Sequence, residues 1–218
     1  MTLRHEPDVS AADWIVRADA DWGVIAGQGP PGFEAYAQVP FDRDDSPERT
    51  DDVVHADVVH LATAHTSTPD DAVFALWEGW GDIEGGDAVS MLYQSPALTG
   101  FGRVFRRPRP PRIPPAFDDA VMKAPRADLD GFRAYLLFRG PLSDVGRWGA
   151  RPEAPDWPRR LAPASFVWPQ DRSWCIAQDV DDDSLTIGGS QALVDAVLAH
   201  PDLRAEPATY GSPPRLPD

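Results

Sequence analysis

Four aspartates, Asp179, Asp181, Asp182 and Asp183, fall within five positions of "SWCIAQDVDDDSLTIGGSQALVDAVL", just ahead of a Gly-Gly-Ser junction. Carboxylates this close repel one another unless they are solvated, paired or wrapped around a cation. The run resembles half of a calcium loop, yet the central glycine and distal glutamate of such a loop are missing at their spacings. Alternation would set Asp179, Asp181 and Asp183 on one strand face, so a cation site and a solvated hairpin turn stand as alternatives. The Gly188-Gly189-Ser190 junction could offer free amides to an anion at a helix start. A phosphate loop needs further glycines and a Lys-Ser or Lys-Thr pair, and neither occurs. A hairpin joined to a helix capped by Ser190 accounts for the stretch without any ligand. No metal and no cofactor is expected.

A second set combines indole, guanidinium and carboxylate: Trp77, Glu78 and Trp80 in "LWEGW", Arg139 in "LLFRG", and Trp168, Asp171, Arg172 and Trp174 in "VWPQDRSW". If these strands were neighbours, the indoles could line a groove in which Glu78 or Asp171 moves a proton while Arg139 or Arg172 holds an anion. The competing reading is that the aromatics fill the core and the arginines pair internally. His55, His60 and His65 are five apart, and five helical steps turn by about 140°, so they diverge instead of converging on a metal. They read as surface or capping histidines. Neither a Gly-x-Ser-x-Gly elbow nor a Cys-x-x-Cys pair is present.

The elements that would position these residues follow from periodicity and punctuation. Strands are predicted around 33–39, 72–80, 132–139, 173–180 and 184–188, and helices near 10–18, 51–64 and 190–199. Glycine after tryptophan, twice in "LWEGWG", suggests a bulge or a close backbone approach. Residues 101–117 are rich in proline and arginine and read as an extended loop. "GARPEAPDWPRRLAPASFVWPQD" reads as an irregular connection pinned by Trp157 and Trp168, and 206–218 as a flexible tail. These elements imply one α+β domain over 1–218, a mostly antiparallel sheet with helices on one side and many irregular, proline-rich connections.

Composition supports a globular reading: 218 residues, 42% hydrophobic, with eight tryptophans, against 24 prolines and 17 glycines that break the chain often. The formal charge of −15 disfavours nucleic acid and anionic membranes and makes a basic protein partner the natural one. One cysteine, Cys175, cannot form an internal disulfide, and "MTLRHEPDVSAADW" lacks an apolar export region, so a cytoplasmic location is expected.

The order of "PPGFEAYAQV", "HTSTPDDAVFALWEGWG", "YLLFRGPL", "WPQDRSWCIAQDVD" and "IGGSQALVDAVL" resembles an uncharacterised protein family of high-GC Gram-positive bacteria, over about residues 14 to 205. That resemblance implies a shared fold and carries no activity or catalytic residues with it. The functional expectation is a non-enzymatic binding protein of the immunity or regulatory kind, using an acidic, tryptophan-containing surface. The alternative is an enzyme or small-ligand binder with its site between the "LWEGW" and "DRSW" strands. Oligomeric state is left open.

Overall fold

The computed structural model describes residues 2–41, 49–87 and 112–212. The two longest apolar runs become β3 (Ala72–Trp77) and β7 (Arg133–Gly140), which pair antiparallel from Ala72 opposite Gly140 to Trp77 opposite Tyr135. Side chains of a strand alternate between faces. Phe74 and Leu76 therefore enter one core cluster, and Val73 and Ala75 the other.

Around this pair the sheet grows to nine antiparallel strands. Its order is β1 (Arg4–His5), β7, β3, β8 (Phe166–Pro169), β9 (Cys175–Ala177), β10 (Ser184–Gly189), β2 (Ala35–Pro40) and β11 (Glu206–Ala208). The ninth, β6 (Ala127–Leu129), lies beside β7 off this path. With its helices the fold is α+β.

Helices cover both faces, which corrects the expected one-sided arrangement. The amphipathic α3 (Asp51–Ala62) and α6 (Gln191–Leu198) bury Val54, Val58, Leu193 and Val197 against Phe74, Leu136 and Ile187. On the other face α1 (Asp13–Val16) and α2 (Trp22–Gln28) bury Ile15 and Ile25 against Val73, Leu137 and Cys175. The cause is compositional, because central strands such as "AVFAL" are apolar at every position and need cover on both sides. Helix α2, two glycines and all, was not expected. It forms because Asp21 caps it, its Oδ1 accepting from Gly23 N at 2.9 Å, while Ile25 and Ala26 are buried; Gly29 (φ 77°) ends it.

Three further expectations change. "FVWP" is the strand β8 between β3 and β9 instead of a connection, and Trp168 is buried whereas Trp157 is exposed. The tail expected from residue 206 begins with β11 on β2, and the Tyr210 hydroxyl donates to Gly29 O at 3.0 Å. The expected strand over 173–180 shrinks to the three residues of β9. The acidic loop at 42–48, the proline/arginine-rich loop as far as 111 and the tail beyond 212 lie outside the described residues. Where that loop re-enters, β5 (Arg112–Ile113) pairs with β4 (Gly86–Asp87), which follows the short helix α4 (Gly81–Glu84). One more turn of helix, α5 (Asp119–Met122), precedes β6.

Candidate functional site

The sequence-derived set is not assembled into one groove. Trp77, Glu78 and Trp80 lie at one end of β3, whereas Asp171 and Arg172 follow Pro169 opposite Ala72 at the other end. Trp174 is fully buried in the α3/α6-side core. Arg139 shares the far end with Asp171 but is engaged by Glu6 and Asp71 at 2.7 Å each and by Gln170 at 2.9 Å. Glu78 accepts from Arg126 Nε at 2.8 Å. Asp171 holds a loop in place: its Oδ2 accepts from Thr66 Oγ1, Ser67 N and Ser67 Oγ at 2.7–2.8 Å, and its Oδ1 from Ser173 N at 3.1 Å. Burial alone would raise the Asp171 carboxyl, yet the bonds from Ser67 and Ser173 outweigh it and hold the group well below the usual carboxylate range. Arg172, in the left-handed region at φ 53°, lies over Trp14 at 5.2 Å. The core-and-pairing reading therefore describes these residues, and the glycine anticipated for a close approach is Gly79, which packs against the Trp77 ring.

The aspartate run is answered by a cation from the chain itself. Arg133 NH2 donates to Asp179 at 3.0 Å and Asp181 at 2.7 Å, and its guanidinium lies between the rings of Trp22 and Trp77, 5.5 and 5.4 Å from their centroids. The turn before β7, with Asp130 at φ 55° and Gly131 at φ 75°, projects Phe132 outward. Phe132 is 57% exposed and stacks on Trp22 with centroids 4.6 Å apart and planes 14° from parallel. Exposed carboxylates at Asp21, Asp128, Asp130 and Asp181 belong to the same end of the sheet. Among the described residues no group of three His, Cys, Asp or Glu is placed to hold a metal.

Beside this end opens a cleft of about 530 Å3 between α2 and the strands β10, β2 and β11. Its floor is a row fixed by register: Thr186 opposite Gln38, and Gln38 opposite Glu206. Directly opposed residues share a face, and this face is otherwise occupied by Ala177 and Cys175. Ser184, two positions along, receives a hydrogen bond from Gln38 Nε2 at 2.7 Å. Asp21 and Asp182 complete the acidic wall, and Asp182 lies 2.8 Å from where a Cβ on Gly27 would stand. Burial, reinforced by Asp179, Asp181 and Asp183, raises the Asp182 carboxyl above its ordinary value. Gln28 closes one rim, donating to Ser212 O at 2.6 Å and accepting from Gly211 N at 2.8 Å. This site was missed in the sequence, although Ser184 and Thr186 at alternate positions of a strand were its signal.

A second cavity, of about 590 Å3, is bounded by Arg147, Trp148, Arg159 and Arg160 and by His55. His55 is buried, not on the surface as expected, with Nε2 3.0 Å from Ala164 O; burial lowers its pKa to about 4. His60 is exposed and His65 half-buried, away from it along the helix and its 3-10 extension. Cys175 is fully buried, and burial pushes its thiol up, which is the opposite of an activated nucleophile. No helix among the described residues is long and apolar enough to cross a membrane. No family model, no curated protein and no solved structure matches this chain.

Proposed function

We propose that the protein is a non-enzymatic binding protein of the cytoplasm that engages a basic protein partner through the acidic end of its sheet. The observation that carries this reading is Phe132: an exposed ring on a tight turn, backed by Trp22 and surrounded by Asp21, Asp128, Asp130 and Asp181. Such an anchor fits an apolar pocket with a cationic rim, because aromatic anchors supply most of an interface's affinity while the surrounding charges steer encounter. The wider charge balance points the same way. Arg49, Arg126, Arg133, Arg139 and Arg147 each pair with a carboxylate of the chain, in a protein of net charge −15. Support for a reducing compartment comes from the single, buried Cys175.

The test is photo-crosslinking from position 132 in the cells the protein comes from, with a benzoyl-phenylalanine in place of Phe132. A covalent adduct with one basic protein, lost when Asp130 and Asp181 are both changed to Asn, is the expected result. No adduct, or adducts indifferent to those two charges, would overturn the reading.

A further inference from the structure

The lining of the cleft between α2 and the β10–β2–β11 floor restricts which ligand chemistry it could accept. Thr186 is 5% exposed and its hydroxyl, which lines the cleft, has no hydrogen-bond partner among the described residues. The oxygen is not sealed off: it opens to the cleft, where water or a ligand can satisfy it. Its row neighbours Gln38 and Glu206 face the same space. Asp21, Asp182 and Glu206 give the lining three carboxylates, and no Lys, Arg or His lines it. None of the three forms an ion pair with a described cation. Anionic ligands are thereby excluded by charge. A compact metal ion fits poorly as well, because these acids do not converge on a point. The lining also holds no aromatic side chain, so a flat ring has no platform. An aliphatic chain bearing spread N–H donors suits acids that stand apart along a groove, with Val24, Pro207 and Ala208 beside the methylenes.

We propose that this cleft binds an alkyl-guanidinium or alkyl-ammonium group, its N–H donors shared among Asp182, Glu206 and the Gln38–Thr186 floor. The same chemistry is found in a free polyamine and in the Arg or Lys side chain of a basic partner. The assignment rests on the cleft and not on the Phe132 surface, so either can fail alone. The Asp182 carboxyl, destabilised by burial and by three neighbouring aspartates, is the group a cation would relieve most.

Isothermal titration of the purified full chain with agmatine, and separately with a capped Gly-Arg-Gly peptide, tests the proposal. Binding in the micromolar to millimolar range is expected, weakened about tenfold by Asp182→Asn and several-fold by Thr186→Val. Gly27→Ala, whose new methyl would crowd the Asp182 carboxylate, should weaken it too; thermal melts of each variant confirm folding. Carbon-13 titration of Asp182 should move to lower pH when agmatine is saturating, a shift that a purely structural role would not produce. Tighter binding of the peptide would identify a partner side chain as the occupant; tighter binding of agmatine, a free cation. No binding of either probe at about 10 mM, or binding unchanged in folded Asp182→Asn, would overturn the proposal.

Discussion

Arg133 shows how one side chain resolves a conflict that the sequence creates. Asp179 and Asp181 would repel, and the guanidinium that joins them is itself wedged between Trp22 and Trp77. Removing one member of a largely buried pair leaves the other charge uncompensated, which costs more than the pair contributed. Arg133→Ala should therefore destabilise the fold by about 2–4 kcal/mol, and Asp179→Asn in that background should recover part of the loss; urea unfolding of the four species of the double-mutant cycle checks this. His55 makes a pH prediction. Its folded pKa of about 4 lies below the ordinary 6.5, so between those values the unfolded chain binds more protons. The stability due to neutral His55 is fully present above pH 6.5 and is lost as pH falls towards 4, at about 1.4 kcal/mol per unit. The pH dependence of unfolding free energy should lose that slope in His55→Leu, provided the variant folds.

Elements whose signals are local could be read directly from the chain. Helix α6 follows Ser190, whose side chain accepts from Leu193 N at 3.3 Å, and it buries the expected Leu193 and Val197. Ser190→Ala should lower stability by about 1 kcal/mol, seen as a lower melting temperature. β3, β7 and β10 likewise announce themselves as apolar or β-branched runs bounded by turn residues. Several of the elements missed are made by tertiary context: β1, β6 and β11 are two or three residues long and exist only through their partners. β8 was hidden by prolines, one of which, Pro169, occupies its last position. The acidic cleft was invisible for the same reason, since its floor joins strands remote in sequence. Gly188 shows why "IGG" carries no side chain there. A Cβ would stand 2.6 Å from the Phe33 and Tyr36 rings, so Gly188→Val should cost about 1–3 kcal/mol by overpacking, measurable as a shift in urea midpoint.

The molecule as a whole carries far more negative than positive charge, 35 acidic against 20 basic residues, and Arg126, Arg133 and Arg139 are already engaged by carboxylates of the chain. Association with a basic partner through the Phe132 end should therefore be steered at long range. Once the partner is identified by cross-linking, stopped-flow association should slow steeply with added salt as the Debye length contracts from about 10 Å at 0.1 M to about 3 Å at 1 M, while dissociation changes little. An association rate indifferent to salt would show that the surplus charge serves solubility instead. Phe132→Ala should act oppositely, speeding dissociation with little effect on association.

The order in which strands neighbour one another also bears on how the protein comes into being. β8, β9 and β10 follow in succession and can close as hairpins, but β2 inserts between β10 and β11, and Gln38 bonds to Ser184 across 146 positions. Loops of that span close late, because their entropy is lost before any contact compensates it. Refolding should accordingly proceed in milliseconds to seconds, with amide protection appearing first in β8–β10 and last in β2. The floor of the acidic cleft would then mature only in the final step, making ligand-binding competence itself a clock for the end of folding.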